Sequence, residues 1–334
     1  MKIILNACSG GLVTTARAGK LVIGLLLLNF IIALPAAWIM TSSLHASLST
    51  SRAGEELRHG FDMGWYGQYN AAATGMEKTF RPTVMGAGAF LDNHEAWASG
   101  ELWRGFPGLV VVGVLFALTW TFLLGGVLAQ FVHGSTPFSV ARYFGSCGRY
   151  AFRFYRLAAL SIPFYYIVYK LFGLTYGQVD RLTRDVTSES TILIYSLGVV
   201  ALTVFLLHLI QISFSYAKIA IVQEERTGMV KAVWDGFRFV AAHPLPVLGL
   251  ALGLGAISLL LLAVYGWLAP GPAQSGWVTV TLAFLAGQIY LGIKLFMRLW
   301  LLASQLSLYQ RFTPAARDGD LPQGMQGQIP LAAP

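Results

Sequence analysis

Polar and cationic side chains interrupt two of the longest apolar stretches of this chain. His208 and Gln211 lie three residues apart, and Lys294 and Arg298 lie four apart, so each pair would share one face of a helix. Because polar side chains are costly inside a bilayer, such residues often mark a ligand-binding or transport path. We predict that these four residues bind a ligand along a polar track. The alternatives are an interhelical hydrogen bond from His208 and a headgroup-level position for the two cations.

Motifs that would indicate catalysis are missing from the sequence. It contains no phosphate-binding loop, no GxSxG nucleophile elbow, no HExxH zinc motif and no pair of acidic residues within an apolar stretch. Asp92–Glu95 carries metal-binding residue types, but adjacent residues need partners elsewhere to surround one ion. We therefore predict a non-enzymatic protein with no metal and no cofactor. An intramembrane lipid-modifying enzyme would need a nucleophile and a base that the sequence does not pair.

Six apolar stretches would position these side chains. A helix needs about 20 residues to cross the hydrocarbon layer of about 30 Å, and five of the six stretches reach that length. The chain is 56% hydrophobic and only 11% charged, which excludes an ordinary soluble domain. The sequence therefore predicts an all-α integral membrane protein with six transmembrane helices. They are Leu21–Met40, Leu109–Val132, Leu157–Leu174, Ile192–Ile212, Leu245–Leu268 and Trp277–Leu308.

The charged residues alternate with the apolar stretches. Lys and Arg outnumber Asp and Glu in segments 1–20, 133–156 and 218–243, whereas Asp and Glu outnumber them in 41–108 and 175–191. By the positive-inside rule, both termini should be cytoplasmic, in a multi-pass protein of the bacterial inner membrane. The net charge of +8 is then a membrane signature and does not indicate nucleic-acid binding.

The long outer segment 41–108 carries aromatic side chains that favour a membrane–water interface, among them Trp65, Trp97 and Trp103. Two interpretations stay open, a cap on the outer leaflet and a lid over a cavity between helices. We predict one domain over residues 1–312, which includes this loop. The tail 313–334 is rich in Pro, Gly and Gln, and we expect it to be a flexible cytoplasmic end.

A basic, amphipathic stretch precedes every odd-numbered span. The three stretches are Gly11–Lys20, Phe138–Phe154 and Met229–Ala242. In the third, helical spacing brings Met229 and Val233 to one apolar face. Such stretches are typical of helices that lie in the membrane interface, with apolar side chains in the acyl boundary. The pattern predicts three repeats of a cytoplasmic interfacial helix followed by a transmembrane hairpin.

The segment Phe214–Glu225, followed by Gly228 and Lys231–Trp234, resembles part of a known family. It is similar to uncharacterised six-span bacterial membrane proteins related to the membrane domain of glycerophosphodiester phosphodiesterases. The resemblance covers about residues 200–270. It implies an architecture in which an acidic stretch and a glycine lead into an amphipathic helix and the next span. The phosphodiesterase domain has no counterpart in these residues, so the resemblance does not imply that activity.

These features favour a non-enzymatic protein that handles a lipid or another amphiphile, or that serves as an accessory or scaffold subunit. The expected partners are membrane lipids and a protein within a membrane complex. The alternative is a secondary transporter or permease for a small amphiphilic or anionic solute. Against a transporter, the apolar stretch around His208 lacks the midplane Gly or Pro that usually breaks transport helices.

Overall fold

The structure is a computed structural model that describes residues 2–49, 62–73, 107–133, 138–184, 188–269 and 276–313. Every regular element within these ranges is an α-helix. The helices are α1 (Lys2–Arg17), α2 (Gly19–Ser49), α3 (Met63–Ala72), α4 (Pro107–Val132), α5 (Val140–Leu182), α6 (Glu189–Gln223), α7 (Met229–Ala242), α8 (Pro244–Leu268) and α9 (Trp277–Phe312).

Six of these helices, α2, α4, α5, α6, α8 and α9, are long and apolar enough to cross a membrane. Each contains one of the six apolar stretches that the sequence analysis identified. The predicted all-helical, multi-pass membrane architecture is therefore confirmed. The helices are longer than the apolar stretches, because polar turns continue the same helix beyond them.

Helix α5 shows how far this extension goes. Its 43 residues span about 64 Å, about twice the hydrocarbon thickness. We expected an interfacial helix over Phe138–Phe154 and a separate span from Leu157, but the structure has one continuous helix. No proline interrupts its backbone hydrogen bonding until Pro163. The first turns of α5 run antiparallel to α4, where the Tyr143 hydroxyl donates to the carbonyl of Leu123 at 3.1 Å.

Helix α7 is a separate helix, because Pro244 begins α8 directly after it. Its apolar face, which includes Met229 and Val233, is buried against the protein and does not face lipid as expected. The contact with α6 is close at Gly236, where an added methyl group would meet the backbone nitrogen of Ala217 at 3.1 Å. Glycine therefore allows the two backbones to approach.

The N-terminal helix α1 packs in the same way against α9, the last helix. An added methyl group on Gly11 would meet the backbone nitrogen of Ser304 at 2.5 Å. The Trp300 indole donates a hydrogen bond to the carbonyl of Cys8 at 2.8 Å. The first and last helices are thus joined by close backbone contact.

Burial is concentrated at one end of the bundle. This end comprises α1, α7, the first turns of α5 and the last turns of α4, α6 and α9, and we call it the packed end. Tyr216 and Leu308 are fully buried there, whereas Leu193 and Trp277, near the other ends of α6 and α9, are 59% and 85% exposed. Such exposed apolar side chains are suited to contact with lipid.

A small aromatic cluster lies away from the packed end. The Trp65 indole on α3 donates to the hydroxyl of Ser47 on α2 at 3.2 Å. Tyr69 stacks on Trp65, and both are buried. Helix α3 therefore packs on α2 through its aromatic residues. Trp97, Trp103 and the segment Asp92–Glu95 lie outside the described residues.

Candidate functional site

A cavity of about 110 Å³ lies between α4, α5 and α6. Its floor is apolar and buried, whereas its rim carries exposed residues on the sides of α5 and α6. The opening therefore faces sideways from helices that are suited to cross a membrane. The cavity is lined by Trp120, Thr121, Leu124, Phe154, Leu157, Ala158, Ser161, Tyr165, Gln211, Phe214 and Lys218.

Side-chain size explains why a space remains at this position. Ala158 and Ser161 are small and lie one turn apart on α5, where it faces α6. The aromatic rings of Phe154 and Phe214 form part of the buried floor. The cavity has room for several water molecules or for a small polar headgroup.

Two positively charged side chains lie at the cavity, one in its wall and one behind an aromatic ring of the wall. Lys218, five residues before the end of α6, is partly buried in the cavity wall. The guanidinium carbon of Arg298 on α9 lies 4.2 Å from the centre of the Trp120 ring, which also lines the cavity. Because Lys218 and Trp120 both line the cavity, the two positive charges lie at the same cavity. Within the described ranges, neither forms an ion pair with a carboxylate.

The structure brings together two of the four residues predicted to bind a ligand. Gln211 lines the cavity, and Arg298 reaches it through Trp120. His208 and Lys294 are exposed and do not line it. The four residues thus do not form one continuous polar track in the described part of the chain.

Lys218 and Trp120 are two of the cavity residues that the sequence analysis did not select as ligand-binding. A lysine within a long apolar helix is itself a signal, since a charge there needs compensation. No comparable signal marks Trp120, because tryptophan is common in membrane helices. Its role depends on the contact between α4 and α9, which the sequence does not reveal.

A polar cluster at the turn between α6 and α7 joins the helices of the packed end. Glu225 has a φ of 50°, in the left-handed region that favours glycine. Its carboxylate accepts a hydrogen bond from the Tyr150 hydroxyl at 2.6 Å. It also pairs with Arg149 at 3.2 Å and with Arg153 at 3.4 Å, all three partners being on α5.

The neighbouring residues extend this cluster to α7 and α9. Glu224 accepts a hydrogen bond from the Tyr309 hydroxyl on α9 and pairs with Arg226. Arg226 also pairs with Asp235 on α7. All three carboxylates of the cluster thus have arginine partners, and none is directed to Lys218.

The polar groups that line the cavity include several hydrogen-bond donors. Lys218, Gln211 and the hydroxyl groups of Thr121 and Ser161 can donate hydrogen bonds into the cavity. Among the described residues, no group of three or more His, Cys, Asp or Glu side chains is placed to hold a metal ion. Comparison with family models, with curated protein sequences and with solved structures gave no match to this chain.

Proposed function

We propose that the protein binds a membrane amphiphile without transforming it, in the cavity between α4, α5 and α6. The observation that carries this proposal is the sideways opening of a cavity with an apolar floor and polar donors. A lipid-like molecule could enter from the membrane without leaving the bilayer. Its polar part would meet Lys218, while its chain would pass Gln211 and pack against Phe154 and Phe214.

The proposed setting is the bacterial inner membrane, with both termini and the packed end on the cytoplasmic side. The support is the distribution of Lys and Arg, which the positive-inside rule relates to orientation. Lys218, in the last turns of α6, would then lie nearer the cytoplasmic headgroups than Gln211. An accessory role, in which the protein presents the amphiphile to a partner, is compatible with this position.

We also infer a three-fold repeat of an amphipathic segment and a transmembrane hairpin. In support, each amphipathic segment packs against the last turns of a span: the start of α5 on α4, α7 on α6 and α1 on α9. In the contact between α1 and α9, the first amphipathic segment of the chain packs on the last span. With this contact, the three repeats would form a closed ring. The resemblance to phosphodiesterase membrane domains remains a proposal about this architecture.

The test is amphiphile retention by the purified protein, measured by native mass spectrometry after gentle extraction. Ala158→Phe would place a ring in the cavity mouth and should abolish retention. The matched control is Ala159→Phe, since Ala159 is exposed on the same helix and does not line the cavity. Absence of bound amphiphile from the unmodified protein, or equal retention by both variants, would refute the proposal.

The alternative function is that of a solute transporter. It can be tested with the same purified protein, reconstituted in liposomes. The positions of His208 and Lys294 do not favour it. A translocation path would need a polar lining that continues from the cavity, and neither residue lines the cavity. Solute flux that disappears in Arg298→Met would establish transport. Flux equal to that of empty liposomes would leave amphiphile binding as the proposed function.

A further inference from the structure

We propose that the cavity selects amphiphiles with an oxyanion headgroup, a phosphate or carboxylate, held between Lys218 and Arg298. This inference rests on the proposed function and adds the chemical class of its ligand. The cavity has positive side chains that, among the described residues, no negative side chain balances. Lys218 lines the cavity, and Arg298 lies against the ring of Trp120, which also lines it. Neither cation has a carboxylate partner in the described part of the chain.

The carboxylates that could have neutralised these cations are already engaged. Glu224 follows Lys218 by six residues, at the end of the same helix, but it pairs with Arg226 and Tyr309. Glu225 is held by α5, and Asp235 is held by Arg226. The carboxylates of this polar cluster thus pair within the cluster and not with Lys218 or Arg298. An unpaired charge is costly where it is partly buried, as Lys218 is, so that position favours the entry of an anion. The exposed Arg298 can supply a second positive charge to the same anion.

The two cations are complementary as binding groups. Stacking of the Arg298 guanidinium on Trp120 restrains its plane and leaves its N–H groups to donate within that plane. Lys218 supplies a compact charge with three donors from another helix. Two oxygens of one phosphate or carboxylate could therefore be held from different directions. Charge-assisted bonds of this kind are about twice as strong as neutral ones.

The surroundings indicate an amphiphile rather than a free ion. Below the cations, the cavity has an apolar floor, which gains nothing from a hydrated ion. The polar side chains of Thr121, Ser161 and Gln211 also line the cavity. Gln211 lies seven residues before Lys218, about 10 Å deeper along α6. A headgroup at Lys218 would therefore direct its chain past Gln211 and along the apolar floor.

The experiment is microcalorimetry on the full chain in a maltoside detergent. The probes are dioctanoyl phosphatidate, dioctanoylglycerol and inorganic phosphate. We expect phosphatidate to bind at least tenfold more tightly than dioctanoylglycerol. Lys218→Met and Arg298→Met should each remove about tenfold of that preference, while Lys218→Arg should retain most of it. Lys294→Met is the matched control and should change nothing. Lys294 is a cation one turn from Arg298, but the cation over the Trp120 ring is Arg298.

The measured affinities test headgroup selection and amphiphile binding separately. Equal affinity for phosphatidate and dioctanoylglycerol would overturn the charge selection and leave amphiphile binding intact. Inorganic phosphate binding as tightly as phosphatidate would overturn both, because the site would then recognise a free ion. No binding of either lipid would also refute both. An equal loss in Lys294→Met would show a general effect of charge and overturn the assignment to Lys218 and Arg298.

Discussion

Arg298 and Trp120 form a cation–π contact, with the guanidinium carbon 4.2 Å from the centre of the indole ring. The contact joins α9 to α4 across the bundle and places a positive charge against an aromatic wall of the cavity. Trp120 is 8% exposed, whereas Arg298 is exposed, so the guanidinium contacts the indole on one side and stays accessible to a ligand. An arginine held in this way loses less conformational freedom when it binds an anion.

The first prediction concerns this contact. Trp120→Leu should weaken phosphatidate binding about two- to fivefold, since a cation–π interaction contributes about 0.5–1 kcal/mol. Trp120→Phe should have a smaller effect, because an aromatic face remains. In an Arg298→Met background, Trp120→Leu should add almost nothing to the loss. Calorimetric affinities of the single and double variants measure this coupling, and additive losses would contradict the positioning role of Trp120.

A second prediction concerns Glu225 and its hydroxyl partner. Glu225→Gln and Tyr150→Phe should each destabilise the protein, and a double-mutant cycle should give a coupling of about 1–2 kcal/mol. The measurement is reversible unfolding in mixed detergent micelles. Tyr155→Phe is the control: its hydroxyl donates to the carbonyl of Leu118, so it should not couple to Glu225. A coupling free energy of zero between Glu225 and Tyr150 would contradict a stabilising hydrogen bond between them.

The backbone of Glu225 gives a separate expectation. Its φ of 50° suits glycine better than any residue with a Cβ atom. Glu225→Ala should therefore be less stable than Glu225→Gly by about 1 kcal/mol, although both lose the carboxylate. Equal stability of these two variants in the same unfolding assay would show that the left-handed conformation carries no cost.

The third prediction compares two glycines. Gly236→Ala should destabilise the protein by about 1–3 kcal/mol, because the methyl group would meet the backbone of Ser213 and Ala217 on α6. Gly253 on α8 has no neighbouring atom within 4 Å of an added methyl group. Gly253→Ala should therefore be neutral or stabilising by up to about 1 kcal/mol. Thermal unfolding of both variants decides the sign, and equal destabilisation would contradict the close α6–α7 contact.

Hydropathy alone located the six long helices, because a bilayer demands long apolar segments that satisfy their own backbone hydrogen bonds. It could not locate their ends. The start of α5 depends on packing against α4, as the Tyr143–Leu123 bond shows. Likewise, the spacing of Met229 and Val233 predicts an apolar face. It does not show whether that face contacts lipid or α6.

The site was only partly predictable for the same reason. Gln211 and Arg298 were visible as polar residues in apolar stretches, as were His208 and Lys294. Which of them meet depends on how α4, α6 and α9 rotate about their axes. Residue spacing within one helix carries no information about that rotation.

The fourth prediction concerns orientation. With Cys8 and Cys147 replaced, a cysteine at Ser188 should react with an impermeant thiol reagent in intact cells. A cysteine at Thr313 should react only after permeabilisation. Both positions flank described helices, Ser188 before α6 and Thr313 after α9. The reason is that Lys and Arg are costly to translocate, about 2.5–3.5 kcal/mol each at the membrane centre. Labelling of Thr313 in intact cells would reverse the proposed topology.

The fifth prediction tests whether α1 completes the series of amphipathic segments. Phe312, at the end of α9, stacks on His243 at 3.9 Å, just before α8 begins. Ile4, near the start of α1, packs against Gly249 on α8. The two ends of the described chain therefore both lie at the first turns of α8. A circular permutant that joins residue 334 to residue 2 and opens the chain between residues 135 and 136 should fold.

Its thermal transition should lie within a few degrees of that of the unpermuted chain, because all contacts between helices are retained. A second permutant, opened between Glu225 and Arg226, is the matched control. It divides the polar cluster that joins α5, α7 and α9, so it should be clearly less stable. Size-exclusion chromatography and thermal unfolding in the same detergent compare the two. If the first permutant aggregates while the second folds, α1 does not act as the first segment of a closed series.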